Sequence, residues 1–275
     1  MPDCWCGRYH KHVRRVCNDG VDVNVQPKGD SIFRQWQVLA QSCLDGESQT
    51  RLAMLLNHLK RLPARQGASA HAEIETAYFL AQAGFSIALL EATGGRTADL
   101  ECYEGTHRFF VEVTVIQSTR GSARKSMAVH LQPHQILESS DEFFEQALVK
   151  RLLSRMAEKA RQLERYCAPV LLAVSVPDLP WGKGRPQDIP PLDLQRLAAM
   201  LVGVVVDVPQ LSAILLTLWK APAQELRNPI RIRQVTWVTR PPGNPRDPRI
   251  RMLAVNPVAR YRLSSQELKS IKGEM

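Results

Sequence analysis

Between Arg51 and Leu62, leucines recur at positions 52, 55, 56, 59 and 62, the spacing of one face of a helix. A helical pattern also covers Ile32 to Cys43, and Pro63 and Gly67 close this unit. Ser69 reads as the N-cap of a further helix that runs to about Ala83, where Gly84 can end it. Three strand patterns follow: Phe85–Leu90, Ala98–Tyr103 and Arg108–Ile116. The first two are separated by the turn Thr93-Gly94-Gly95-Arg96, the last two by Glu104-Gly105-Thr106. A long helix is expected from about Asp141 to Tyr166, broken by Pro169, and Val170–Val176 has the unbroken apolar character of a buried strand. The order is α-β-β-β-α-β. Beyond the loop Pro177 to Pro191, the pattern predicts a helix over Leu192–Leu201 and strands over Leu211–Trp219 and Ile232–Val238. A short exposed helix is expected from Ser264. The expected fold is α/β, a mixed sheet flanked by helices.

Acids interrupt this pattern at informative places. Side chains alternate along a strand, so Glu112 and Thr114 share one face while Val111, Val113 and Val115 share the other. A glutamate inside an apolar strand is costly unless it is paired or bound to a cation. Asp99 opens the preceding strand, and pairing of the two as a hairpin brings Asp99 and Glu112 close together. On the helix before them, Glu73 shares a stripe with Ala77, Leu80 and Gly84 and can reach the sheet, whereas Glu75 points elsewhere. His71 reads as a solvated first-turn residue. Two close carboxylates repel, and a hard divalent cation relieves the repulsion; magnesium suits oxygen ligands and retains waters for a phosphate substrate.

Taken together, the run from Ala72 through Gln117 resembles the PD-(D/E)XK, or restriction-endonuclease-like, nuclease superfamily. The resemblance covers about Ser69 to Val176 and implies an αβββαβ core. By position, Glu73 matches the family's helix acid, Asp99 its strand aspartate and Glu112 the acid of its last motif. The family's lysine falls on Thr114, so the pattern here is Glu-x-Thr. In such nucleases the lysine is taken to orient the attacking water and offset negative charge. A threonine brings no charge. Lys159, on the long helix, and Lys125, in the basic loop Arg120 to Lys125, are the candidates to replace it, and Gln117 is a further contact.

Composition narrows the setting. Hydrophobic residues make up 44% of the 275, enough for a core, and the formal net charge is +9. That excess favours a polyanionic partner, nucleic acid, with DNA ahead of RNA. No stretch approaches the roughly 18 consecutive apolar residues of a membrane span. No apolar leader opens the chain, so a cytoplasmic setting without membrane contact is expected. The first eighteen residues are rich in cysteine and histidine. Cys4-Trp5-Cys6-Gly7 and the basic run His10 to Arg15 resemble a degenerate SEC-C zinc-binding motif. The resemblance implies a structural zinc on Cys4, Cys6 and Cys17, with His12 or His10 as the fourth ligand. Cys43, Cys102 and Cys167 are isolated, and Cys102 reads as a packed core thiol. The segments divide as head 1–18, linker and helical segment 19–67, nuclease-like domain 68–268 and tail 269–275. The function expected is magnesium-dependent hydrolysis of phosphodiester bonds in DNA. The alternative is an inactive nuclease fold that binds nucleic acid or a protein partner.

Overall fold

Val170–Val176 is buried at every residue, which a strand achieves only when both faces of its sheet are covered. In the computed structural model this strand, β4, lies inside an eight-stranded mixed sheet ordered β1-β2-β3-β4-β5-β8-β7-β6. The structure describes residues 38–61, 67–90, 98–116, 150–151, 154, 166–177, 193–219, 230–233, 235–239 and 249–275. The strands are β1 Ser86–Leu89, β2 Leu100–Glu104, β3 His107–Val115, β4, β5 Ala213–Trp219, β6 Ile230–Arg233, β7 Thr236–Thr239 and β8 Arg249–Val255. The helices used below are α1 Gly46–Arg61, α2 Ala68–Gln82, α3 Leu194–Val206 and α4 Ser265–Glu274.

β1, β2 and β3 form an antiparallel meander. The β2–β3 turn passes through Gly105 at φ 61°, a conformation glycine adopts without a Cβ clash. β3, β4 and β5 are parallel. Parallel neighbours need a crossover, and α3 provides it between β4 and β5. β8, β7 and β6 complete the sheet antiparallel. One apolar layer packs α1, α2 and α4 against Val111, Val113, Leu171, Ala173, Leu215 and Leu253. The other packs α3 against Leu172, Val174, Ile214, Leu216, Met252 and Ala254. The alternation foreseen for β3 is therefore present: its odd-numbered valines lie under α2. Cys102 is fully buried, as a core thiol should be. On the α3 side, the Asn256 side-chain amide is shared among the carbonyls of Val205, Val208 and Leu211, tying the end of α3 to the start of β5.

Several boundaries differ from expectation, each for a local reason. α2 starts at Ala68 with Gly67 as its cap residue, so Ser69 lies within the first turn. α1 begins at Gly46, ahead of the leucine repeat, because the Asp45 carboxylate caps it by accepting from the Ser48 N–H at 2.7 Å. α3 continues through the apolar run to Val206, with Asp193 as its N-cap. The single strand expected over Ile232–Val238 is a hairpin of two, β6 and β7, with Val235 in the turn. β6 is the sheet edge and presents the exposed Arg231, a charge that discourages pairing with another chain. β8 was not expected at all: Arg249 and Arg251 mask the apolar run Ile250, Met252, Leu253 and Ala254. Of the long helix expected over Asp141–Tyr166, most residues lie outside those described, and Tyr166 itself is not helical.

The C-terminal segment is neither a tail nor an exposed helix. Ile271 and Met275 are buried in the layer shared with α1 and α2. A reciprocal cap starts α4: the Ser264 hydroxyl accepts from the Glu267 N–H at 3.1 Å, and the Glu267 carboxylate accepts from the Ser264 N–H at 2.6 Å. Ser264→Ala is expected to destabilise the fold by about 1 kcal/mol in urea denaturation. An unchanged midpoint would mean that the docking of α4 does not depend on its cap.

Candidate functional site

The carboxyl end of β1 and the start of β2 meet β3 at one end of the sheet. The Leu90 N–H donates to the Asp99 carbonyl, and the Asp99 N–H donates to the Val111 carbonyl. Asp99 therefore stands one residue ahead of β2, not within it. β2 and β3 pair in register up to Leu100–Val111, and Asp99 stands just beyond that pair with its N–H on the same Val111. The Asp99 carboxylate folds back and accepts from the Val113 N–H at 2.7 Å. That N–H belongs to the peptide following Glu112, so the Asp99 carboxylate lies against the β3 backbone next to Glu112. Glu112 is 2% exposed and Thr114 is 8% exposed.

Glu73 joins them from α2. Burial pushes its carboxyl up to about 7, the negative charge of Asp99 adds to the rise, and that of Glu112 adds less. Arg51 opposes the rise, with its Nη2 3.4 Å from a Glu73 oxygen. The smaller influence of Glu112 has a geometric reason. Alternation along β3 puts Glu112 on the α3 face, whereas Glu73 approaches from the α2 face, with Asp99 at the strand end between them. The three acids thus share a field without forming one compact ligand set. Among the described residues, no group of three or more His, Cys, Asp or Glu side chains could hold a metal ion. The pair Asp99 and Glu112 offers oxygen donors only. Such donors fit a hard divalent cation such as magnesium, which completes its shell with water and phosphate oxygens.

Other expected residues fall differently. Thr114 lies beside Val174 of β4, an uncharged residue at the position where the resemblance leads one to expect a lysine. Lys125, Lys159 and Gln117 lie outside the described residues, as do Cys4, Cys6, His10, His12 and Cys17. His71 is not simply solvated: its ring meets Trp219 edge-on, centroids 5.2 Å apart. Glu75 does point away from Glu73, and it is buried. It lines a small cavity with Phe79, Ser175, Thr217, Trp219 and Arg251. There the Trp219 indole N–H donates to the Ser175 hydroxyl at 3.0 Å, and the Arg251 guanidinium lies 4.4 Å from the Phe79 ring centre.

Arg51 and Ser48 are the residues that sequence reasoning missed. Ser48 is 1% exposed, and its hydroxyl accepts from the Leu89 N–H at 3.0 Å. This bond pins the first turn of α1 to the end of β1. Arg51 follows one turn later on the same side of the helix. The only sequence signal was a polar residue bordering the leucine stripe, which does not reveal its partner.

No family model matches the chain, and neither a curated protein nor a solved structure matches it. Among the described residues, no helix is long and apolar enough to cross a membrane.

Proposed function

We propose that this chain is a metal-dependent phosphodiesterase acting on DNA, an atypical member of the PD-(D/E)XK type with Glu-x-Thr in place of Glu-x-Lys. The observation that carries this reading is the placement of Asp99 and Glu112. Asp99 stands just ahead of β2 with its carboxylate on the β3 backbone next to Glu112, and Glu73 senses both acids from the preceding helix. The element order supports it: a helix, a three-stranded antiparallel meander, then β4 parallel to β3. The formal charge of +9 suits a polyanionic substrate.

In the reaction proposed, a water oxygen bonds to phosphorus and one phosphorus–oxygen ester bond breaks. The departing sugar oxygen gains a proton and the water loses one. Asp99 and Glu112 would hold magnesium, which when bound offsets the charge developing on the phosphate. The Val113 N–H fixes the rotamer of Asp99, so that carboxylate is oriented before substrate arrives. Glu73, which titrates at about 7, is placed to exchange a proton beside Asp99.

A second reading is favoured by Thr114: an uncharged residue at the lysine position suits a fold that binds nucleic acid, or a protein partner, without cutting it. Incubation with single- and double-stranded DNA in magnesium, manganese or EDTA separates the two. Products that form only with the divalent ion support the nuclease. Salt-sensitive binding without product under every condition supports the binding protein.

A further inference from the structure

The proposed reaction needs a positive charge that Thr114 does not supply. Negative charge grows on the non-bridging oxygens as phosphorus is attacked, and a fixed cation aimed at them is a large source of rate enhancement. α1 brings such a cation to the acids. Three contacts place it: Asp45 caps α1, Ser48 anchors it to Leu89, and Arg51 pairs with Glu73 at 3.4 Å. The residue after Leu89, just past the end of β1, is Leu90, whose N–H bonds the Asp99 carbonyl. Arg51 is thus anchored through two short linkages to the backbone that bears Asp99.

Its chemistry also suits the role. A guanidinium carries five N–H donors and keeps its charge at any working pH. One donor reaches Glu73. The side chain is 19% exposed, so it is held in place yet still reaches solvent, where a phosphate oxygen would arrive. A group buried outright could not meet a substrate, and a fully exposed one would be screened.

We propose that Arg51 supplies the positive charge missing at the Thr114 position, facing the scissile phosphate from α1 while Glu73 holds its guanidinium in place. This rests on the nuclease reading. Arg51 cannot act as the base, because a guanidinium does not give up its proton in this range. It acts on the phosphate, leaving proton transfer to the carboxylates or solvent. α1, which precedes the segment expected to form the nuclease-like domain, is accordingly part of the active site.

The test is steady-state cleavage of a DNA duplex in magnesium by the full chain, comparing wild type, Asp99→Ala, Arg51→Lys and Arg51→Gln. Melting curves establish that each variant is folded. Arg51→Gln is expected to lower kcat about a hundredfold with little change in KM. Arg51→Lys should recover part of that loss, and guanidinium added far below denaturing concentrations should raise the rate of Arg51→Gln but not of wild type. If Arg51→Gln cuts within about twofold of wild type, or if Lys and Gln are equally impaired and guanidinium rescues neither, Arg51 does not have this role. Should the Gln variant fail to fold, the Lys variant decides: wild-type stability with a rate that shows no dependence on the shape of the cation, or no loss at all, counts against a placed guanidinium, and a several-fold kcat loss supports it. Cleavage by wild type that Asp99→Ala abolishes keeps the nuclease reading standing whatever Arg51 does. A wild type that never cuts removes both.

Discussion

Asp99→Asn and Glu112→Gln are each expected to lower magnesium-dependent cleavage about a thousandfold, near 4 kcal/mol of transition-state stabilisation. The amide variants are the informative ones. Asn at position 99 keeps an oxygen that can accept from the Val113 N–H, now donating at 2.7 Å, so the strand end keeps its bond and loses only the charge. Gln at position 112 keeps the volume of a residue that is 2% exposed. Alanine would remove the charge together with packing and, at position 99, would leave a backbone donor without this partner. Comparing the amide with the alanine at each site therefore separates electrostatics from structure. Rates measured at saturating DNA, beside melting temperatures, are the readout. Cutting that survives both amide substitutions at wild-type rate would remove these carboxylates from the mechanism. Loss of cutting with unchanged DNA affinity would place the charge at the chemical step.

Glu73→Gln should stabilise the protein at pH 8 in EDTA by about 2–3 kcal/mol and leave it nearly unchanged at pH 4. The sign follows from linkage. In the fold Glu73 titrates at about 7, above its ordinary 4.5. The native state therefore holds a proton that the unfolded chain releases earlier. Stability falls as pH rises between these values, and above about 7 the ionised carboxylate is borne in full. Glutamine is spared that penalty, and its amide oxygen can still accept from Arg51. Denaturation in urea at both pH values measures the difference. An equal effect at pH 4 and pH 8 would show that charge is not what destabilises this position. The same reasoning predicts that magnesium at pH 8 raises the melting temperature of wild type, since a cation between Asp99 and Glu112 would offset part of the field at Glu73. The rise should vanish in the Asp99→Asn, Glu112→Gln double variant. A site that is destabilised when empty is the usual price of keeping like charges together for function.

How far these residues could be read in advance depended on the range of the forces involved. Asp99 and Glu112 were legible because strand alternation and a short turn are local: nine residues of β3 and a glycine turn suffice to place them. Glu73 was legible through helical spacing, and its field was not. Its raised titration comes from burial and from Asp99, neither of which has a local signature. Arg51 was illegible for the same reason. Its partner lies 22 positions away, across a segment whose path no propensity describes.

The order of helix and strands from α2 to β4, the apolar faces of β3 and the core position of Cys102 were determined by the sequence itself, because side-chain periodicity and burial follow from backbone geometry. Only the tertiary structure decided that β8 enters the sheet between β5 and β7, that α4 docks into the core rather than trailing as a tail, and that Glu112 and Glu73 approach from opposite faces. Those outcomes depend on contacts between distant segments, where Arg251 can be buried against Phe79 and a charged run can still become a strand. Pairing across the sheet is a nonlocal equilibrium, and the pattern of any one segment records only which partners it could accept.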